Sequence, residues 1–188
     1  MELYASFFST GSGRGAVVAS ERGVCRVCLP GDDGAGRSAQ ANLDILPPSR
    51  LTEHVSLMLM KYFKGVPQPF EKVELDYEVS GGFRRRVLDL IRSVPFGKVM
   101  SYGAVAAAVG APMAARAVGG AMAANPVPII IPCHRVIAAD GRLTGYSAPG
   151  GLLLKKLILQ MEGIEFKGEL VSQPRSCYSQ ARPERTFI

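Results

Sequence analysis

Short apolar segments dominate the first 45 residues: YASFFS, GAVVAS and GVCRVCLP, rich in Val, Tyr and Phe and separated by glycine clusters at Gly11–Gly15 and Gly31–Gly36. Runs of this kind between turn residues predict strands, and Gly11-Ser12-Gly13-Arg14-Gly15 predicts a hairpin turn, since it lacks the Lys-Ser/Thr of a phosphate loop. Leu51, Val55, Leu59 and Phe63 then recur at four-residue steps, which predicts an amphipathic helix introduced by Ser49 and stopped by Gly65 and Pro67. KVELDYEV alternates at Val73, Leu75, Tyr77 and Val79 and predicts one more strand, after which Gly81-Gly82 marks a domain boundary.

Beyond that boundary the apolar period becomes helical. Phe83, Val87, Leu90 and Ile91 make one stripe, with Arg84, Arg85, Asp89 and Arg92 largely off it. Ser101 caps a second helix, Tyr102 to Val109, stopped by Gly110-Ala111-Pro112; a third runs from about Met113 to Ala124 and stops at Asn125-Pro126. Two short helices across a tight glycine turn form a helix-turn-helix unit. The third helix, MAARAVGGAMAA, carries Arg116 as its sole charge and is otherwise mostly Gly and Ala. Such a helix packs closely in a small core or against a narrow DNA groove. Val127-Pro128-Ile129-Ile130-Ile131 has the signature of a buried strand, and LLLKKLILQMEG predicts a last helix. The fold class is α/β (α+β): a small N-terminal sheet-plus-helix domain over 1–80, a mainly helical C-terminal domain over 81–166, and a flexible tail over 167–188.

Composition narrows the class. With 47% hydrophobic and 20% charged residues the chain is globular, which excludes a disordered or collagen-like protein. No apolar run reaches the roughly 18 residues of a membrane span. Glu2 stands where a signal peptide carries a basic residue, so a cytoplasmic protein is expected, nucleoid-associated if bacterial. Net charge is +6, unevenly spread: residues 1–80 hold 8 Lys+Arg and 10 Asp+Glu, for −2, whereas residues 81–188 hold 14 and 6, for +8. A basic second half points to a polyanion.

Four cysteines without regular spacing form no disulfide framework. Cys25 and Cys28 form a CxxC on a predicted strand, where they face opposite sides, with only His54 as a further ligand nearby, so no metal is expected. Cys177 reads as an exposed thiol in the tail. Cys133 differs: it ends the buried run and adjoins His134 and Arg135, neighbours able to lower a thiol pKa and favour the thiolate. Adjacent residues in extended chain point apart, so a bridging water is the expected link between Cys133 and His134. Glu162 is the acid available to orient the imidazole.

RAVGGAM, ANPVPIIIPCHRVI, GYS and LILQMEG together resemble the O6-alkylguanine-DNA alkyltransferases, over about Phe83 to Gly163. These proteins repair alkylated guanine by moving the alkyl group onto their own cysteine. The first half resembles the family only in character. The resemblance implies Cys133 as nucleophile, His134 as acceptor of its proton through water, Glu162 holding the imidazole, and Tyr102 donating to guanine N3. It implies Ser147 on guanine O6, Tyr146 as pocket wall, and the carbonyls of Cys133 and Val136 accepting from the exocyclic amine. Asn125 would brace the turns of Cys133 and the recognition helix. Arg116 would fill the stack left by a flipped nucleotide, Met122 would lie beside the substrate, and Arg84 would contact phosphate. The partner implied is double-stranded DNA containing O6-alkylguanine, with O4-alkylthymine a further possible substrate. The protein would act as a monomer without cofactor, and binding would be nearly sequence-independent and salt-sensitive. SAPGGLLLKK after Tyr146 is about two residues longer than the commoner family form. Two other classes fit some of these features: a non-enzymatic reader of alkylated bases, and a cysteine hydrolase using Cys133 and His134.

Overall fold

Strands β1 (Tyr4–Thr10) and β2 (Gly13–Ser20) pair antiparallel from Tyr4↔Ala19 to Thr10↔Gly13, turning over Gly11-Ser12 as the glycine cluster predicts. The third strand, β3 (Gly23–Cys28), adds on the far side of β2 with a bulge at Val18/Ala19, giving the order β1-β2-β3. This computed structural model describes residues 2–31, 43–78 and 81–172.

Helix α1 (Arg50–Tyr62) forms where the four-residue period places it. Ser49 caps it in a reciprocal box with Thr52, satisfying the free N–H groups of its first turn. Its buried face, Val55, Met58, Leu59 and Tyr62, shares a core with Phe8 and Val17 of the sheet. Each such side chain contributes about 1.5–3 kcal/mol on burial, so packing rather than helix propensity fixes α1.

The strand expected at KVELDYEV does not form. Phe70–Lys72 makes a 3-10 turn, and only Leu75 bridges to Val24, through the hydrogen bonds Val24 N to Glu74 O and Asp76 N to Val24 O. Arg92 works against it: its Nη2 donates to the carbonyl of Val73, an acceptor that a sheet ladder would use, and to those of Phe70 and Glu71 just before the segment. Val79 lies outside the described residues.

The second half begins with α2 (Gly82–Arg92), followed by the helix-turn-helix pair α3 (Tyr102–Ala108) and α4 (Ala115–Ala123). Ser101 accepts from Ala104 N at the head of α3, and Gly110 takes a positive φ of 79° in the turn. Two-residue strands β4 (Met100–Ser101) and β5 (Val136–Ile137) pair in parallel and hold the start of α3 beside the Cys133 segment. Helix α5 (Gly151–Met161) crosses behind. Packing continues past Phe166: β6 (Phe166–Lys167) and β7 (Leu170–Val171) form a hairpin, and Val171 is buried with Val99, Ile137, Leu159 and Ile164. The flexible tail expected over 167–188 therefore does not begin at Lys167, because burial of Val171 holds this hairpin in place; residues 173–188, with Cys177, lie outside the described residues.

The halves share one core. A single buried cluster runs from Phe8, Val17 and Tyr62 to Val87, Ile91, Val118 and Ile131, and Val27 N donates to Pro126 O across the border.

Candidate active site

The segment Val127–Ile131 is buried, but it is a tight turn and not a strand. Ile131 N donates to Val127 O, and the Asn125 side chain closes the turn, donating to Ile131 O at 2.8 Å and accepting from Val127 N at 3.1 Å. Pro126, Pro128 and Pro132 bring no N–H to a sheet ladder, which is why a run of this apolarity makes no strand. Ile129 is held at φ 72°, an outlier for a β-branched residue, and is fully packed. The turn delivers Cys133 as the first residue of a 3-10 turn, Cys133–Arg135.

Behind the cysteine lies a buried polar network. Glu162, the residue that ends α5, is 4% exposed and His134 is fully buried. His134 Nε2 lies 2.9 Å from Glu162 Oε1, Arg135 donates Nε and Nη2 to the same carboxylate, and Gly97 N donates to Oε2. Gly97 has a φ of 72°, and a Cβ there would stand 3.0 Å from Glu162 O, so this close approach requires glycine. Tyr62, at the end of α1, sends its hydroxyl to Glu162 Oε1 at 2.5 Å and lies 3.2 Å from His134 Nε2.

Burial pushes the His134 pKa down, outweighing the pull of Glu162, so the imidazole is neutral near neutral pH. Burial works against the Glu162 charge too, but the hydrogen bonds and charge presented by His134 and Arg135 hold its carboxyl well below the usual range. An ionised Glu162 accepts from Nε2–H, which leaves Nδ1 of His134 as the lone-pair nitrogen; Nδ1 is buried and has no hydrogen-bond partner among the described residues. Cys133 departs from expectation. Burial raises its pKa, only partly offset by the Asn125 side chain and Lys155, so the resting group is the thiol. Arg135 does not favour a thiolate because its guanidinium is committed to Glu162 and Val94 O.

Two recesses meet at Cys133 and share Met122, Ala123, Tyr146 and Ser147. One, of about 350 Å³, is completed by Tyr102, Gly119 and Gly145. The other, of about 370 Å³, runs out to Arg26 and Leu29 of the N-terminal half and to Pro149, in the longer segment after Tyr146. Three hydroxyls stand at this junction. Tyr102 donates to Thr144 O at 3.0 Å, Ser147 reaches Ala123 O at 3.4 Å, and the buried Tyr146 hydroxyl has no partner among the described residues. The Val136 carbonyl accepts from Lys155 Nζ at 2.6 Å, which occupies one of its two lone pairs.

Lys155, Tyr62 and the pairing of Arg135 with Glu162 were not foreseen. Lys155 is fully buried, donates also to Thr144 O, and has its pKa lowered by burial to about 8. Its signal was available: Lys155, Ile158, Leu159 and Glu162 follow helical spacing, so the charge falls on the buried stripe of α5. Cys25 and Cys28 stand apart from all of this, Cys25 with its thiol on Gly23 O at 3.6 Å and Cys28 buried.

Arg116 is exposed on α4, at the spacing that puts it on one face with Gly119, Gly120 and Ala123. Packing inside the protein does not explain those glycines. A Cβ at Gly120 meets nothing within 4 Å, and one at Gly119 meets only the Tyr102 ring at 3.9 Å. Arg84 sits half-buried in the first turn of α2.

This arrangement has counterparts. The family profile described as 6-O-methylguanine DNA methyltransferase, DNA binding domain, matches residues 82–164. The methylated-DNA–protein-cysteine methyltransferase of Methanothermobacter thermautotrophicus is 37% identical over 146 residues, which is 74% of this chain and 80% of that protein. The Haemophilus influenzae protein of the same name is 31% identical over 175 residues, 92% of this chain and 94% of its own. Among solved structures, Mycobacterium tuberculosis O6-methylguanine methyltransferase superposes with a TM-score of 0.70 at 31% identity, covering 85% of this chain and 92% of that one. Mycobacterium tuberculosis OGT in complex with DNA gives 0.69 at 32% identity over the same shares. With both halves of the fold matched and a cysteine, histidine and glutamate set behind a helix-turn-helix, the chain belongs to the methylated-DNA–protein-cysteine methyltransferase family.

Proposed function

We propose that this chain repairs O6-alkylguanine in double-stranded DNA by moving the alkyl group onto Cys133, once per molecule. The observation that carries this is a buried thiol at the junction of two recesses, one walled by the helix-turn-helix, with a neutral histidine held by an ionised glutamate behind it. Cys133 Sγ attacks the alkyl carbon in line, an S–C bond forms, and the C–O6 bond breaks, releasing guanine as an anion. The thiol proton passes through a water to His134 Nδ1, and the imidazolium is stabilised by Glu162. Tyr102 gives up Thr144 O to donate to guanine N3, and Ser147 exchanges its long contact with Ala123 O for guanine O6. Both exchange one hydrogen bond for another, so neither leaves a buried group unpaired.

A base inside a duplex cannot reach this thiol, so the nucleotide is flipped at a cost of a few kcal/mol. Arg116 fills the vacancy, α4 lies against the minor groove with Met122 beside the base, and Arg84 contacts phosphate. The carbonyls of Cys133 and Val136 accept from the exocyclic amine, Val136 O through the lone pair that Lys155 leaves free. The protein works where DNA is, in the cytoplasm; among the described residues no helix is long and apolar enough to cross a membrane.

Incubation with duplex carrying a radiolabelled methyl at guanine O6 tests this reading. It predicts transfer of one equivalent per chain, and none for Cys133→Ser with DNA binding kept. Many turnovers would indicate a hydrolase, and binding without transfer a reader of alkylated bases.

A further inference from the structure

We propose that Tyr62, from the N-terminal half, is a positioning residue for the transfer: its hydroxyl shares Glu162 Oε1 with His134 and so tempers the hold of that carboxylate, keeping His134 a neutral base with Nδ1 open to the proton of Cys133. This deepens the function proposed above and rests on it. Tyr62 is the last residue of α1 and is fully buried. Edge contacts with Phe63, Phe70 and Phe96, at centroid distances of 5.4, 5.7 and 6.0 Å, enclose its ring. Among the described residues it is the one side chain of the first 80 whose hydrogen bonds reach His134 or Glu162.

A phenol has one hydrogen to give. Tyr62 gives it to Glu162 Oε1, 2.5 Å away, and burial together with Glu162 pushes the phenol pKa well above its ordinary value, so the hydrogen stays. What Tyr62 then presents to His134 Nε2, at 3.2 Å, is an oxygen with lone pairs only. Glu162 Oε1, the other neighbour of Nε2, is also an acceptor. An unprotonated Nε2 would face two lone-pair oxygens in a buried site, so Nε2 carries the hydrogen and Nδ1 is bare.

The hydroxyl has a second effect. Glu162 Oε1 is shared among Tyr62, His134 and Arg135, and each donor dilutes the negative charge the others feel. The groups facing His134 are Glu162, Tyr62, Arg135, Lys155 and the neighbouring Cys133. Removing the Tyr62 hydroxyl strengthens the pull of Glu162 on an imidazolium, so His134 takes its second proton at higher pH and ceases to be a base sooner on acidification.

Tyr62→Phe keeps the ring and removes the hydroxyl. Phe70→Leu loosens the same aromatic cluster without touching the polar network and serves as the packing control. Single-turnover transfer from O6-methylguanine duplex is followed between about pH 5 and about pH 9, alongside heteronuclear NMR of the histidine ring nitrogens. For Tyr62→Phe the acid limb moves up by about half to one pH unit, a loss of about 3- to 10-fold on that limb, with the alkaline plateau within about 2-fold of wild type. Phe70→Leu lowers the melting temperature and leaves the midpoint in place. NMR finds the hydrogen of neutral His134 on Nε2 in wild type and in Tyr62→Phe alike, since Glu162 Oε1 accepts it in both, and the ring-nitrogen shifts place the protonation midpoint of Tyr62→Phe higher by the same interval. An unshifted midpoint in Tyr62→Phe overturns the assignment, as does an equal shift in Phe70→Leu. The NMR reading needs no transfer, so absence of transfer in wild type would count against the function and not against this role of Tyr62.

Discussion

Gly120→Ala sets the stability of the protein against its affinity for DNA. Gly120 lies inside α4, exposed, and a Cβ built on it meets nothing within 4 Å. Alanine is favoured over glycine in a helix interior by about 0.8–1.0 kcal/mol, and no internal clash subtracts from that gain. In a domain of this size about 1 kcal/mol raises Tm by roughly 2–4 °C. If α4 lies against the minor groove, the same methyl stands between helix and DNA. Overpacking of a close interface costs about 1–3 kcal/mol, which weakens binding roughly 5- to 150-fold. The two quantities therefore move in opposite senses. Differential scanning calorimetry measures the first, and fluorescence anisotropy with a labelled duplex at one fixed salt concentration measures the second. A variant with raised Tm and unchanged affinity would refute the placement of α4 in the groove, since nothing else among the described residues needs a glycine there.

Arg116→Ala is expected to slow repair of duplex by about 10-fold or more, the order of the few kcal/mol of flipping, while transfer from free O6-methylguanine stays within about 2-fold; single-turnover rates that fall equally on both would remove it from flipping. Glu162→Gln leaves Arg135 buried without its counter-charge, at a cost of about 3–5 kcal/mol in denaturant unfolding. It also slows transfer while DNA affinity stays near wild type, and an unaltered rate would exclude Glu162 from the proton path. Stability should fall on acidification in two stages. His134 has its pKa lowered by burial, so the unfolded chain binds a proton below about pH 6.5 that the folded chain refuses. That contribution is complete above the unfolded pKa and is lost as pH falls, at up to about 1.4 kcal/mol per pH unit. Glu162, lowered by His134 and Arg135 against its own burial, adds a second loss below about pH 4.5. Unfolding free energies that stay flat from about pH 7 to about pH 5 would contradict a neutral buried His134.

Elements governed by their own periodicity were legible in the letters. The four-residue steps of α1, the hairpin at Gly11-Ser12 and the Ser101 cap of α3 all stand where local pattern puts them. Elements decided by a side chain arriving from elsewhere were not. KVELDYEV alternates like a strand, yet Arg92 takes its neighbouring carbonyls; VPIII is as apolar as any buried strand, yet Asn125 folds it into a turn. The candidate site divides in the same way. Cys133, His134 and Glu162 could be named from a contiguous motif and a helix end. The state of the thiol could not, because adjacency of Arg135 in sequence says nothing of where its guanidinium points. Tyr62 sits 72 residues before His134, on a helix whose four-residue pattern picked out Phe63 beside it. Lys155 was within reach, as a charge on an apolar stripe.

The central claim, that Cys133 is the alkyl acceptor, is tested most directly by peptide mass spectrometry after mixing the protein with duplex containing O6-methylguanine. The account predicts one methyl group replacing the thiol hydrogen of Cys133, and none on Cys25, Cys28 or Cys177. An unmodified Cys133 in protein that still binds the damaged duplex would contradict it.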